Sequence, residues 1–177
     1  MKTIHVLGTG PSLKYYKPDV NTTIGVNDIW KYHKTDHVVC VDMPKRFNKE
    51  RLKVIVECDP LVFMTCYPDA WEPLRNVKGL KLAPIRGSVD TLTNPKQICF
   101  SNNSAFVATV MAYHLGAKEI VLYGVDFTGH HDLSQPQKQK RAIQDFVKLL
   151  HALDKRGVKL MVSSKDSLLS TKMPIYT

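Results

Sequence analysis

The chain opens with a short run of β-branched and apolar residues that ends in a glycine-rich turn. The run covers residues 3–7, and the turn is Gly8-Thr9-Gly10-Pro11-Ser12. Two glycines allow a tight turn and a close approach to a ligand without a Cβ atom in the way. A helix that opens at Pro11 or Ser12 points free N–H groups at an anion. The turn is neither a complete GxGxxG fingerprint nor a Walker A loop. It indicates a ligand-binding turn after the first strand of an α/β fold, and a plain strand-to-helix turn is the alternative.

The remainder of the chain alternates between strand-like and helix-like segments. Alternation of this kind predicts a mainly parallel sheet that is covered by helices on both faces. We therefore predict an α/β fold with a single Rossmann-like domain over residues 1–177. The predicted strands after the first are 22–26, 37–41, 61–66, 119–125 and 158–162, with an edge strand at 79–86; the predicted helices are 44–54, 104–115 and 137–156, and 87–102 is predicted to be a long loop.

Length and composition set the broad class of the protein. The chain has 177 residues, of which 44% are hydrophobic, and this suits one globular domain. No apolar run approaches the roughly 20 residues that span a bilayer. The first residues lack the features of a signal peptide, so we expect a cytoplasmic protein with reduced thiols. None of the four cysteines forms a CxxC pair, and Cys40 and Cys66 are interpreted as core residues rather than nucleophiles.

The formal net charge of +9 favours anionic partners such as phosphates, nucleotides, acidic glycans or nucleic acid. A solvated basic surface is the alternative interpretation. Arg86 in the predicted loop is a candidate phosphate clamp. The basic residues of the last predicted helix are interpreted as a solvated helix face; they are residues 138, 140, 141, 148, 155 and 156.

Polar residues follow the predicted strands, where ligands bind in parallel α/β sheets. Asn27 and Asp28 can contact a ribose or a base edge, or cap the following turn. Asp42 has the same ambiguity. Together with Asp126 it can also hold Mg²⁺ against a pyrophosphate.

Asp126 is followed within six residues by a pair of histidines, His130 and His131, and by Asp132. A neutral imidazole at this edge can act as the general base that deprotonates an acceptor hydroxyl. Asp126 would then orient the histidine or the acceptor, so His130, His131 and Asp126 are the predicted catalytic residues. A polar surface loop is the alternative, and a transition-metal site built from His130, His131 and Asp132 is geometrically feasible but has no further support.

Four segments resemble a known family. They are Gly8-Thr9-Gly10-Pro11-Ser12-Leu13, Gly25-Val26-Asn27-Asp28, Asn103-Ser104-Ala105, and the stretch from Leu115 to Phe127. In this order they resemble the bacterial sialyltransferase family typified by the Campylobacter enzymes, and also the related archaeal 6-hydroxymethylpterin diphosphokinase-like family. Thr9 stands where the sialyltransferases usually have asparagine, and Ala105 stands where they have glycine.

The resemblance implies a transferase that uses a nucleotide-activated donor, and specifically a small sialyltransferase-like glycosyltransferase. A nucleotide sugar, with a CMP-linked sugar among the candidates, would be the donor, and the acceptor is open. Mg²⁺-dependent phosphoryl transfer of the diphosphokinase type and a non-catalytic nucleotide or nucleic-acid binder are the alternatives. The implied donor-binding residues are Gly8, Thr9, Gly10, Pro11, Ser12, Asn27, Asp28 and Ser104.

Overall fold

The computed structural model describes residues 1–72, 74–128 and 136–177. These residues form a seven-stranded sheet in which every pair of neighbouring strands is parallel, and a separate two-stranded parallel sheet. The order in the large sheet is β5-β4-β3-β2-β1-β8-β9. The strands are β1 Thr3–Leu7, β2 Thr22–Val26, β3 His37–Cys40, β4 Val62–Thr65, β5 Val77–Gly79, β6 Leu82–Arg86, β7 Ile98–Phe100, β8 Glu119–Tyr123 and β9 Lys159–Val162.

Helices cover both faces of the large sheet. The α-helices in the described residues are α1 Lys49–Val56, α2 Ser104–His114 and α3 Pro136–Asp154. Helices α2 and α3 share one hydrophobic core with one face of the sheet. The other face packs against α1 and short 3-10 helices, among them residues 11–15 and 29–31. The predicted α/β, Rossmann-like fold class is confirmed.

Alternate residues of the central strand β1 enter the two cores. Ile4 and Val6 lie in the core beneath α2, whereas Leu7 lies in the core on the opposite face, and all three are fully buried. Successive side chains of a strand point to opposite faces, so a strand covered on both sides is apolar throughout. This explains why β1 is largely apolar and why its one strongly polar side chain, His5, is buried.

The stretch from residue 77 to 102 differs most from the prediction. The predicted edge strand is two separate strands, β5 and β6, and the predicted loop contains a 3-10 helix over Asp90–Thr93 and the strand β7. Ile98 and Cys99 of β7 are buried in the core beneath α2. A strand of three residues is too short to show a period in the sequence, and only its tertiary packing defines it.

The predicted helix over 44–54 is also divided. Residues 44–46 form a 3-10 turn, and α1 begins at Lys49 after Asn48, whose side chain accepts a hydrogen bond from the Arg51 amide at 2.9 Å. Asparagine at this position is a favoured helix cap. The break therefore has a local cause that the apolar periodicity did not reveal.

All four cysteines are free thiols. Burial raises the pKa of the Cys40 thiol, and it raises the pKa of Cys58 to about 12 and that of Cys66 to about 11. Thiols of such high pKa are poor nucleophiles at neutral pH. Cys40 is buried, as predicted for a core residue, whereas Cys66 is partly buried against the core. None of the helices in the described part of the chain has the length and apolar character that crossing a membrane requires.

Candidate functional site

The strand order locates the point at which a ligand would be expected. The chain builds the sheet outward from β1 to β5 and then returns to place β8 on the other side of β1. Such a reversal leaves a crevice at the carboxyl ends of the two strands. Here the crevice is closed, because the Gly8 amide donates to the Tyr123 carbonyl at 2.7 Å and the Gly10 amide donates to the Gly124 carbonyl at 2.9 Å.

Ser12 and Asp126 complete this closure. The Ser12 amide donates to Asp126 Oδ2 at 2.7 Å, and the Ser12 hydroxyl donates to Oδ1 of the same carboxylate. Ser12 Oγ in turn accepts from the Gly124 amide at 2.8 Å. Both side chains are buried. The Asp126 carboxylate thus lies where the glycine-rich turn is expected to bind an anionic phosphate of the donor. In this structure Ser12 and Asp126 bind each other; that Ser12 holds the donor and that Asp126 orients a histidine or the acceptor stay predictions.

The glycines of the turn have a packing role as well. A Cβ atom on Gly10 would lie 2.7 Å from Asp126 Oδ2 and 2.8 Å from the Gly124 carbonyl oxygen. Gly10 is therefore required by the contact between the β1 and β8 turns, whether or not a ligand approaches it. Of the amides in residues 8–12, that of Thr9 has no hydrogen-bond partner in the described part of the chain, and it remains available to a ligand.

An open cavity of about 150 Å³ lies beside the closed crevice. Its wall is formed by the turns after β1, β2 and β8 and by the N-terminus of α2. Asn103 caps α2, and its side-chain oxygen accepts from the amides of Ala105 and Phe106 at 2.9 and 3.1 Å. The sequence pattern Asn103-Ser104-Ala105 therefore marks both the start of a buried helix and one wall of the cavity.

Asn27 and Ser104 meet in this cavity although they are far apart in the chain. Ser104 Oγ donates to Asn27 Oδ1 at 3.1 Å and accepts from the Val41 amide at 3.3 Å. The Asn27 backbone has a φ of 52°, a left-handed conformation that asparagine tolerates better than most residues. With Oδ1 engaged, the Nδ2 group of Asn27 is the donor that remains for a ligand. The structure thus brings together two of the predicted donor-binding residues.

Asp28 does not face this cavity in the predicted way. Its carboxylate makes a bidentate pair with Arg51 of α1, with Nη2 to Oδ1 at 2.7 Å and Nε to Oδ2 at 3.0 Å. The predicted contact between Asp28 and a nucleoside stays a prediction. Asp28 directly precedes the following 3-10 turn, but its side chain makes no capping hydrogen bond there. The pair instead ties the β2 turn to α1, and it borders a separate cavity of about 640 Å³ next to Pro11.

A larger cleft of about 730 Å³ adjoins the small cavity, and the two share Asp42, Asn102 and Asn103. Basic side chains line the cleft from two sides. Lys45 and Arg46 come from the turn before α1, and Lys138 and Arg141 come from the first turns of α3. Lys138 and Arg141 are exposed, as predicted for a solvated helix face, and they also line this cleft. Their spacing of three residues places them on one side of the helix, which was the signal available in the sequence.

Arg86 also lines the cleft, but it is ion-paired. Its Nε lies 3.7 Å from Oδ2 of Asp145, a buried residue of α3. Burial raises the pKa of the Asp145 carboxyl, and the charge of Arg86 opposes that shift. Arg86 thus compensates a buried carboxylate, which reduces its availability as the predicted phosphate clamp.

The remaining predicted catalytic residues, His130 and His131, lie outside the described residues, as does Asp132. Their role as a general base stays a prediction. No group of three or more metal-ligating side chains occurs in residues 1–72, 74–128 and 136–177. Asp42 and Asp126 line the same small cavity, and both oxygens of Asp126 accept from Ser12. The alternative of a magnesium site shared by these two carboxylates stays a prediction.

Comparison with solved structures finds the same fold in bacterial sialyltransferases. The chain superposes on the sialyltransferase CstII from Campylobacter jejuni in complex with the substrate analogue CMP-3FNeuAc with a TM-score of 0.57 and 18% identity, over 100% of this chain and 86% of that one. A CstII complex with a trisaccharide acceptor and CMP gives 0.59 and 19%, over 99% and 86%. An α-2,3-sialyltransferase from the same organism, in apo form, gives 0.59 and 17%, over 100% and 80%.

No protein-family model and no curated protein matches the chain. At this level of identity, the likeness to the solved structures establishes a sialyltransferase-like fold. The comparison therefore confirms the resemblance to the sialyltransferases at the level of the fold. The resemblance to the diphosphokinase-like family stays a prediction.

Proposed function

We propose that this protein is a glycosyltransferase that uses a nucleotide-activated sugar donor, with a CMP-linked sugar as the first candidate. One observation carries the proposal. An open cavity lined by Asn27 and Ser104 lies at the carboxyl edge of a parallel sheet, in a fold shared over nearly the whole chain with sialyltransferases solved with CMP. In such sheets this edge is where nucleotides bind.

The donor-binding groups in this proposal are neutral hydrogen-bond donors. Asn27 Nδ2 and the Thr9 amide face the donor, and Ser104 orients the Asn27 side chain by donating its hydroxyl hydrogen bond to Oδ1. The N-terminal end of α2 adds the partial positive charge of a helix dipole to the same wall. Ser12 supports the turn through its hydrogen bonds to Asp126, whereas Gly10 and Asp126 also line the cavity.

The reaction in this proposal is a displacement at the anomeric carbon of the donor. An acceptor hydroxyl forms a new glycosidic bond to that carbon, and the bond from the carbon to the phosphate oxygen breaks. The nucleotide leaves with the bonding electron pair, and a general base takes the hydroxyl proton. His130 and His131 are the proposed bases, since a neutral imidazole can accept a proton near pH 7.

The proposal is tested by isothermal titration of the protein with CMP, UMP, GMP and AMP, each with Mg²⁺ and with EDTA. We expect CMP to bind most tightly and its affinity to survive EDTA. Loss of all binding in EDTA would favour magnesium-dependent phosphoryl transfer instead. If none of the four nucleotides binds at millimolar concentration, the proposed function is wrong.

A further inference from the structure

The cleft lined by Lys45, Arg46, Lys138 and Arg141 has no role in donor binding as proposed above. We infer that it is the acceptor subsite and that it selects an acceptor sugar carrying an anionic group, a carboxylate or a phosphate. This inference rests on the proposed function, because the cleft can be an acceptor subsite only if the small cavity holds the donor. It names a substrate class that the fold alone leaves open.

The arrangement of the two cavities supports the acceptor role. They meet along a common wall formed by Asp42, Asn102 and Asn103. A donor seated against Asn27 and Ser104 would therefore lie next to the cleft, and in this inference its reacting end points toward it. The second substrate must approach from the cleft side of that wall for its hydroxyl to reach the donor. The cleft, at about 730 Å³, also has room for a saccharide.

The charge of the cleft supports an anionic acceptor. Besides Arg86, which is paired with Asp145, four basic side chains line the cleft, and Asp42 is the acidic residue in the described lining. Asp42 lies 4.0 Å from Arg46. In the described part of the chain, Lys45, Lys138 and Arg141 form no ion pair within 4.0 Å, although burial raises the pKa of the Asp145 carboxyl and the charge of Arg141 helps to oppose that rise. The small cavity, by contrast, has no lysine or arginine among its described lining residues. The charge is thus concentrated on the side away from the donor contacts.

Helix α3 adds to this positive potential. Its first turn contains no acidic residue, and Lys138 and Arg141 lie at its N-terminal end. The N-terminus of a helix carries a partial positive charge, so basic residues there are unfavourable unless an anion compensates them. An anionic group held between Lys138 and Arg141 on one side and Lys45 on the other would provide that compensation.

The cleft also has a surface suited to a sugar ring. Tyr67 lines it and is 42% exposed, and the apolar residues Leu82 and Phe100 are part of the same lining. An exposed aromatic ring beside a few polar groups is typical of small-molecule sites. The combination of an aromatic wall with facing cations fits an acidic sugar better than a free inorganic ion.

The test compares three monosaccharides that differ only at carbon 6: galactose, galacturonate and galactose 6-phosphate. Binding is followed by ¹H–¹⁵N chemical-shift titration of the full chain in the presence of saturating CMP. We expect the acidic sugars to bind at least about tenfold more tightly than galactose, because hydrogen bonds to charged groups each contribute roughly one order of magnitude. The tighter of the two acidic sugars identifies the anion as a carboxylate or a phosphate.

Two double variants with the same change in net charge localise the effect. Lys138→Gln with Arg141→Gln removes the cleft cations of α3, whereas Lys140→Gln with Lys155→Gln removes two exposed lysines, one in α3 and one directly after it, that do not line the cleft. We expect the first pair to abolish the preference for acidic sugars and to change the CMP affinity less than twofold. The second pair should leave the preference in place. Circular dichroism confirms that both variants are folded.

The possible outcomes separate this inference from the proposed function. If CMP binds but the three sugars bind equally or not at all, the inference is overturned and the proposed function stands. If the cleft variant weakens CMP as much as the acidic sugar, the cations hold the donor, and the inference is again overturned. If, without CMP, acidic sugars bind through the cleft cations while no nucleotide binds at all, the anion-selective cleft is supported and the glycosyltransferase proposal fails.

Discussion

Ser12 and Asp126 are 114 positions apart in the chain, yet the amide and the hydroxyl of Ser12 both donate hydrogen bonds to the Asp126 carboxylate. This contact joins the turn after β1 to the turn after β8, at the point where ligands usually enter sheets of this type. The contact has two consequences. It makes the turn a rigid structural element, and it shifts the open space toward Asn27 and the N-terminus of α2.

We predict that Asp126→Asn lowers the free energy of unfolding by about 2–3 kcal/mol, because an amide offers one acceptor to two buried donors and hydrogen bonds to charged groups are worth about 1.5–3 kcal/mol. Urea denaturation measures the change. Asp154→Asn at an exposed position of α3 is the matched control, and it should change stability by less than about 0.5 kcal/mol. If Asp126→Asn keeps full stability but loses activity, Asp126 is catalytic as the sequence suggested.

Gly10→Ala should destabilise the fold by about 1–3 kcal/mol, since the added methyl group would contact the Gly124 carbonyl and the Asp126 carboxylate in a packed turn. The control is Gly79→Ala in β5, where the nearest atom to the new Cβ is Pro68 Cγ at 3.4 Å, an ordinary contact. Thermal unfolding of both variants checks the prediction. Equal melting temperatures would mean that the turn has room for a side chain and that Gly10 serves the ligand alone.

Asn27→Gly should weaken nucleotide binding by about tenfold, because it removes the side-chain donor that faces the cavity. Glycine is chosen because it accepts the φ of 52° without strain. Asn76 has a φ of 55°, is exposed and precedes β5 outside the cavity, so Asn76→Gly makes the same chemical change away from the site. Titration with CMP compares the two. The donor-site assignment is wrong if both variants bind CMP as tightly as the wild type.

Stability should fall as the pH drops below 6.5 because of His5. Burial lowers the pKa of this imidazole, and Asp19, at 3.8 Å from Nδ1, opposes the shift only in part. Burial likewise lowers the pKa of His37 and of His114. A group with a lowered folded-state pKa is neutral in the native protein while the unfolded chain already binds a proton. Its stabilising contribution is therefore complete above the unfolded pKa of about 6.5 and is lost progressively below it.

Urea denaturation between pH 5 and 8 measures this dependence, which amounts to at most about 1.4 kcal/mol per pH unit for one proton. His5→Phe keeps a ring among Tyr16, Tyr123 and Tyr176 but removes the titration. In this variant the free energy of unfolding should depend less steeply on pH below 6.5. The dependence that remains should come from His37 and His114. An unchanged slope would exclude His5 as a source of the acid sensitivity.

The class of fold was predictable because local patterns report strands and helices that are buried on both sides. The runs at β1 and β8 are mostly apolar, and α2 is apolar nearly all round, so each was recognisable without knowledge of its neighbours. The positions of Asn27 and Ser104 were predictable for a related reason. Each follows or begins an element whose end defines the carboxyl edge of the sheet.

What a polar side chain at that edge contacts was decided by the tertiary structure alone. Sequence position places Ser12, Asp28 and Asp126 at the edge, but it carries no information on whether their hydrogen bonds go to a ligand or to another part of the chain. Asp28 pairs with Arg51, and Asp126 accepts hydrogen bonds from Ser12, because a buried carboxylate is stable only when it is paired. Likewise, Lys45 and Lys138 are 93 positions apart, and only the packing of α3 against the sheet brings them to one cleft. The sequence by itself thus determined which elements form and where their ends meet, and folding determined which of the polar groups there remain free to bind.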